Sequence, residues 1–592
     1  MDTERSGNYW KRIRRRQLLR GAAVLGVGGA AIALVGCGDD DDNSGNNGGG
    51  AGGTSTQGPT ATQAAAKIDG YQWLQNEPDL KASPKAGGAL KYGTYIRASS
   101  LDPIKSPSFE SANIYSPVYA RLFRPKYGSE LDPYNPWSLE VAPDMASGSE
   151  NPSAGVYTIK LKPNLKWQNV APLNGRAFTA DDVKFTLESF AASPEFGTAW
   201  LPLDKVEATD AQTVKVTLKQ PVNYLIPALS EMRIVMLPKE VADADGDFSK
   251  RAIGTGPFTL DEYTPATSAS YKKNPNYHVQ GKPYVDSIQY VPYKDAATAR
   301  EAYLTGQFPV GRGDGLGLPT QYKDDLSRKK DGVSLQVQSR WQANVFFLGL
   351  KTDKPPFNNP QVAQALSKSW DRQAFVKSQL ADLGGSVIGN FSWVDYFDKQ
   401  PDLSAVTKYD VADAKRLLSA AGISGDIEAT LDYANYGQTL VDQIQFIAEQ
   451  VKEAGFNIKL QMAEVAAYGA KFSQGNFDNM ALGFIATVPR YQPLVMKTFL
   501  ESTSGRNALK INDPELDSSI KKLTESSDKN EQKTAYQTIW NKVHTRPYLI
   551  PLIDGPTLFF WDKKVHNWLF NQYSDPAGWG LQSMFEQVWL EA

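Results

Sequence analysis

The residue types that most often carry chemistry are sparse in this 592-residue chain. Three histidines, His278, His544 and His566, are scattered without ligand spacing, and Cys37 is the only cysteine. With no H-E-x-x-H stretch and no cysteine pair, no metal site is assigned. Gly254-Thr255-Gly256 is followed by Pro257 and lacks the third glycine of a dinucleotide loop. The acidic run Asp39–Asp42 lacks the spaced ligands and glycine turn of a calcium loop, so it reads as solvated. Acids are abundant, yet no feature selects two of them as a hydrolytic pair. No catalytic residue and no cofactor is assigned. What remains is one thiol that can be alkylated but cannot form an internal disulfide, and many aromatic side chains suited to binding.

The thiol has a telling context. Leu34-Val35-Gly36-Cys37 resembles the lipobox of bacterial lipoproteins, where the cysteine takes a diacylglycerol group and the chain is cut just before it. The alternative, a small buried hydrophobe, fits poorly beside Gly36, Gly38 and Asp39–Asp42. Upstream, Arg14-Arg15-Arg16-Gln17-Leu18-Leu19-Arg20 is a basic region, and residues 21–36 are uncharged Gly, Ala, Val, Leu and Ile. That stretch is too short for a membrane span of about 20 apolar residues, so residues 1–36 read as an export signal. The stretch from Arg15 to Arg20 resembles the twin-arginine export motif, with Arg14 where Ser or Thr is usual. The general secretory route stays open, and both routes end outside the cytoplasmic membrane.

Residues 37–86 are expected to form a disordered tether. From Gly38 to about residue 66 the chain is almost wholly small or polar, too poor in apolar surface to offset its conformational entropy. Such a leash reaches about 5–6 Å times the square root of its length. Residues 1–36 carry seven basic and two acidic side chains, a net +5, so the −2 of the whole chain leaves −7 after the signal. A chain with that balance and no basic stripe is not expected to bind nucleic acid.

The rest, from near Gly87 to Ala592, exceeds what one core usually covers, so two or more lobes are expected. Strand and helix signals mix throughout. Tyr157, Ile159 and Leu161 alternate with polar residues, as do Val214, Val216 and Leu218, and Val333, Leu335 and Val337. Thr179 and Asp182 form a capping-box pattern ahead of an apolar run. Asn359-Pro360 starts a helix with Val362, Ala365, Leu366 and Trp370 on one face, and Asp410 caps another that Gly422 stops. A helix through Leu440, Ile444, Ile447 and Val451 ends at Gly455 and is followed at once by an alternating strand from Phe456. This succession marks an α/β fold.

Several passages resemble the family 5 extracellular solute-binding proteins, the receptors of oligopeptide, dipeptide, nickel and related ABC importers. They are Tyr157–Trp167 with Phe178–Val183, Gly254–Phe258, Asn274–Tyr277 with Lys282–Ile288, Pro356–Leu366 with Asp371-Arg372, and Asp413–Leu418 with Ala421-Gly422. Their order runs over nearly the whole chain after the tether. The resemblance implies a periplasmic-binding-protein-like II fold of the large three-lobed (cluster C) type, with a hinged ligand cleft. Lobe I would comprise 87–112, 251–330 and 549–592, lobe II 113–250, and lobe III 331–548. It also implies a monomer that closes on a solute and docks on an ABC permease and ATPase complex, held to the outer face of the cytoplasmic membrane by its lipid.

In the family's peptide binders an aspartate in a G-W-x-x-D-Y-P-D-P-like passage pairs with the ligand's amino terminus. The matching stretch here, Gly483–Pro493, contains no acid. Arg490 within it either meets a carboxylate or phosphate of the ligand or is a solvated loop residue. Trp341 and Asn344 at the start of the expected lobe III, Phe391, Trp393 and Tyr396 in a later loop, and Tyr491 are the remaining ligand candidates. Each ring has ordinary packing as its alternative. The solute class stays open among peptides, oligosaccharides and similar molecules, and a nickel chelate is a further option. Three functions are compatible: an importer's receptor, a sensor or chaperone on the same fold, and a surface hydrolase. If Cys37 is the anchor, Cys37→Ser moves the protein from the membrane fraction to the soluble fraction on cell fractionation. Retention of the variant in membranes washed at high salt counts against lipidation.

Overall fold

The chain divides into two units, Met1–Ala64 and Ala65–Ala592. A computed structural model describes residues 71–591 except 76–81, 95–99, 107–108, 127–140, 194–195, 198–199, 295, 313–331, 339–345, 380–390, 392–395, 400, 436–437, 485–491, 554–556 and 569–584. Everything described lies in the second unit.

Three sheets organise it. A mixed eight-stranded sheet runs, in order, Tyr71–Gln75, Val333–Gln338, Thr557–Asp562, Val310–Arg312, Ala89–Thr94, Ser287–Pro292, Ser268–Lys273 and Phe258–Thr264. A four-stranded antiparallel sheet holds Ala146–Ser153, Val156–Leu161, Thr213–Leu218 and Leu203–Asp210. A five-stranded sheet runs Phe456–Ala463, Ile427–Ala434, Met480–Phe484, Phe346–Leu350 and Leu549–Pro551. The first two sheets share one apolar core.

The five-stranded sheet is covered on both faces, as alternation along its strands requires. Leu348, Leu350, Met480, Leu482 and Ile550 face a core closed by helices Pro360–Lys368, Arg372–Gln379, Val411–Ala420 and Gln438–Gln450. Phe347, Ala481 and Leu549 face the opposite core, under helices Gln492–Leu500, Pro514–Glu525 and Lys529–Thr545.

Many local signals act as expected. Asn359 Oδ1 accepts from the backbone N of Gln361 at 2.9 Å, and Asp410 Oδ1 from that of Asp413 at 2.8 Å. Asp182 accepts from Thr179 N at 2.9 Å and from Trp167 Nε1 at 3.2 Å, while Arg176 holds it by both terminal nitrogens. One carboxylate thereby locks the aromatic turn onto the helix it precedes. Gly254-Thr255-Gly256 also gains a physical role. A Cβ on Gly254 would stand 2.3 Å from the carbonyl oxygen of Val118, and one on Gly256 2.6 Å from that of Tyr119. These glycines let two backbones touch, and Gly256 N donates to Val118 O at 2.8 Å.

Some expectations need correcting. Tyr71–Gln75, inside the span 37–86 expected as tether, is an edge strand paired antiparallel with Val333–Gln338. Its Tyr, Trp and Leu content suits a strand, but only a distant partner reveals the pairing. Val333–Gln338, expected in lobe III, belongs to the eight-stranded sheet, and Leu549–Pro551, expected in lobe I, to the five-stranded one. Trp370 lies beyond the helix that ends at Lys368, yet is buried in the same core.

These pairings define how the two larger sheets connect. Val333–Gln338 and Thr557–Asp562 are antiparallel neighbours in one sheet, with Gln338 opposite Thr557. Phe346–Leu350 and Leu549–Pro551 are antiparallel neighbours in the other, with Phe347 opposite Pro551. The chain therefore leaves the first sheet and returns to it through two connections that start side by side and end side by side.

Buried ionisable groups fix the bodies internally. Asp144, fully buried, lies 2.9 Å from His278 Nε2 and 3.5 Å from Arg124, which donates to Glu586 at 2.8 Å. Burial alone raises the Asp144 pKa, but Arg124 and His278 outweigh it and hold the carboxyl well below its usual range. His544 sits 4.3 Å from the Trp540 ring with Nδ1 2.7 Å from that residue's carbonyl oxygen. Burial pushes its pKa down to about 4, so it is neutral at pH 7. Its folded pKa lies below the unfolded value, so the stability it contributes is present above about pH 6.5 and is lost as pH falls towards 4. Between pH 7 and 5 that loss is about 2 kcal/mol, and Asp144 contributes its own loss only at lower pH. His544→Gln should flatten the fall of the urea midpoint between pH 7 and 5, and a fall equal to that of the wild type would exclude His544 as its source.

Candidate functional site

The five-stranded sheet has one end at which several candidate passages attach. Phe346 begins its strand and Phe484 ends its own, and the two are register partners. The passage carrying Trp341 and Asn344 thus joins the sheet beside the passage carrying Arg490 and Tyr491. The same end receives the return connection after Pro551, because Pro551 pairs with Phe347. Ile427–Ala434 runs parallel to Met480–Phe484, so its carboxyl end points the same way. Loops at the carboxyl ends of parallel strands, next to a crossing between bodies, are where α/β folds place ligands.

Trp341, Asn344, Trp393, Arg490 and Tyr491 themselves lie outside the described residues, as does Cys37. Phe391 is fully buried in the core beneath helices Pro514–Glu525 and Lys529–Thr545. Tyr396 is half-buried and stacks on Tyr536, centroids 3.7 Å apart and planes 6° from parallel. Gln537 Nε2 donates to the Tyr396 carbonyl at 2.7 Å, and Phe397 meets Trp540 edge-on. The structure brings Phe391 and Tyr396 together on one helical layer, with one face of the Tyr396 ring already covered.

A buried acid near this sheet end was missed from sequence. Asp432, 3% exposed and register partner of Ala481, stands on the strand next to the acid-free passage. Lys471 forms an ion pair with it. Its carboxylate is therefore already neutralised by the protein rather than left for a ligand's ammonium. The readable signal was a lone acid in the apolar run Leu431-Asp432-Tyr433-Ala434. Among the described residues no group of three or more His, Cys, Asp or Glu could hold a metal ion, and no helix is long and apolar enough to cross a membrane.

The start of the acid-free passage is fixed by packing. A Cβ on Gly483 would fall 1.9 Å from the Phe347 ring, which lies across the neighbouring strand at the paired position. Glycine there lets the ring cover the sheet where the candidate passages begin.

Comparison with known proteins settles the family. The family model for bacterial extracellular solute-binding proteins, family 5, middle region, matches residues 140–506. The chain belongs to that family. It is 26% identical over 392 residues to a glutathione-binding protein, GsiB, of Salmonella typhi, covering 63% of this chain and 71% of that protein. Its fold matches the periplasmic binding protein DppA of Helicobacter pylori, solved with the peptide STSA, with a TM-score of 0.71 at 21% identity over 86% of this chain and 99% of the other. The oligopeptide-binding protein AppA of Bacillus subtilis, solved with a nonapeptide, gives 0.70 at 21% identity over 86% of this chain and 100% of the other. The fold is thus the mixed α/β architecture of these receptors, and the named relatives are binding proteins rather than enzymes.

Gly483→Ala should destabilise the protein by about 1–3 kcal/mol through overpacking, measured by chemical unfolding. Combining it with Phe347→Ala should recover part of that loss, because the clashing ring is gone. Strict additivity of the two substitutions would show that the close approach carries no strain.

Proposed function

We propose that this protein is the lipid-anchored, extracytoplasmic receptor of an ABC importer, and that it captures a peptide-sized solute between its two sheet-centred bodies without altering it. The observation that carries this reading is the pair of adjacent connections between the eight- and five-stranded sheets, in a chain of the solute-binding family. Two connections anchored side by side at both ends favour one bending motion over twisting, so solute binding shifts a population between open and closed forms. The two crossings form the hinge, which moves the lobe I and lobe III bounds to the points after Gln338 and after Pro551 where the chain leaves each ladder. The closed form docks, as a monomer, on the permease.

The solute class follows from the polar groups at the sheet end. Without an acid in Gly483–Pro493, and with Asp432 already paired, recognition of a free ammonium is not the organising contact. Arg490 instead meets a carboxylate, in the forked geometry guanidinium groups favour. Trp341, Asn344, Trp393, Tyr396 and Tyr491 cover the remainder of the solute. Reduced glutathione, a tripeptide with two carboxylates, and short peptides are the first probes, since the relatives bind such molecules.

The test is calorimetry and thermal unfolding of the protein with glutathione and with di- to tetrapeptides, alongside mass spectrometry of small molecules retained through purification. Binding raises the unfolding temperature and leaves the solute intact. Trp341→Ala and Trp393→Ala weaken binding roughly ten-fold each with the fold retained. A solute recovered chemically converted, or affinity unchanged in both variants, overturns the corresponding part of the proposal.

A further inference from the structure

The core shared by the eight- and four-stranded sheets takes in Leu494 of helix Gln492–Leu500, and a polar contact also reaches the other body, from Asn223. Asn223 lies in the loop between strand Thr213–Leu218 and the short helix Leu225–Ala228. The loop is held on its own side. Val222 and Tyr224 are buried in the core shared by the eight- and four-stranded sheets, and Tyr157 Oη donates to the Val222 carbonyl at 2.8 Å. From this fixed loop Asn223 meets the carboxyl end of helix Pro514–Glu525, whose Leu516, Ile520 and Leu523 belong to the core beneath the five-stranded sheet. The backbone N of Asn223 donates to Thr524 O at 3.0 Å. Its Nδ2 donates to Leu523 O at 2.8 Å and to Ser526 O at 3.0 Å.

A helix leaves its last carbonyls without intrahelical donors, and partial negative charge collects there. This helix has its amino end capped locally by Asp513. At its carboxyl end no glycine follows and Ser526 is extended; Gln532 Nε2 of the same body donates to Ser526 O at 2.7 Å, and three further donor contacts come from Asn223, about three hundred positions earlier. These donors and acceptors sit on different bodies, so they pair only while the bodies are together.

We propose that Asn223 is a closure latch: a C-cap lent by one body to a helix of the other, whose strength sets the closed fraction of the receptor. This rests on the hinged-receptor reading above. When the bodies part, water takes over both sides, so losing the latch costs closure and not folding. The apparent affinity for a solute that binds the closed form scales with that fraction.

The experiment needs no solute. Small-angle scattering of the protein is compared between wild type, Asn223→Ala and Asn223→Asp, together with amide exchange of the peptide containing Asn223. Removing two amide hydrogen bonds should lower the closed-to-open ratio on the order of ten-fold. Aspartate should lower it further, because its charge opposes the helix end. The expected result is a larger radius of gyration and faster exchange in both variants, with circular dichroism and unfolding temperature as in the wild type. Unchanged radius and exchange in Asn223→Ala overturn the latch, as does a loss of unfolding temperature equal in Asn223→Ala and Asn223→Gln, which would make the contact merely structural. A protein that opens in Asn223→Ala yet binds no small molecule keeps the latch and loses the receptor reading.

Discussion

The architecture depends on a constraint of connectivity: the five-stranded sheet and its helices are inserted between two strands that are neighbours in the eight-stranded sheet. Val333–Gln338 and Thr557–Asp562 must stay paired for that sheet to exist, and Phe346–Leu350 and Leu549–Pro551 must stay paired for the other. The two bodies are therefore joined in sequence only through the short spans between these ladders. The eight-stranded sheet draws strands from residues 71–94, 258–338 and 557–562. It cannot be completed until the whole insertion has been made and folded back. The edge strand Tyr71–Gln75 reinforces the same place, since Tyr71 pairs with Gln338, the last residue before the crossing.

Within each body the polar interior is arranged to be rigid. Asp144, Arg124, His278, Tyr277 and Glu586 form a connected, largely buried set joining the four-stranded-sheet region to the segment around Glu586. Breaking one member would strand a charge away from water, which costs more than the pair gains. Lys351 is similarly enclosed, donating to Ala508 O and Gly475 O and lying 4.6 Å from the Phe477 ring centroid. Contacts of this kind lie inside bodies. Asn223 differs, because it places neutral amide donors on neutral carbonyls at the end of helix Pro514–Glu525, whose apolar side chains belong to another core. Such bonds contribute about 0.5–1.5 kcal/mol each, net of exchange with water.

How much of this was legible beforehand depends on the range of the signal. Helix caps at Asn359, Asp410 and the Thr179–Asp182 pair were readable, because capping couples residues two or three apart. Alternation in Val156–Leu161 and Thr213–Leu218 was readable for the same reason. Sheet membership was not, since Val333–Gln338 and Leu549–Pro551 are chosen by partners far along the chain. Aromatic candidates were readable only as types: burial of Phe391 and the stacking of Tyr396 on Tyr536 depend on distant helices. Asn223 carried no signal, because an asparagine in a turn reads as turn chemistry until the helix end it faces is known.

The start of the acid-free passage is set by packing. Gly483 admits the Phe347 ring, and Phe347 packs edge-on with Phe472, which stacks on Phe477. Tyr468 donates to the Leu482 carbonyl one residue before that glycine, so the strand is held from its helical side up to the point where it ends. Asp432, the acid nearest in register, is bound to Lys471 in the same layer. A solute ammonium brought to this end of the sheet would have to compete with Lys471 for a carboxylate already desolvated and paired, and would gain little by doing so. Asp432 and Lys471 thus satisfy each other within the sheet layer, and the sheet is a stiff platform at the end where these passages begin.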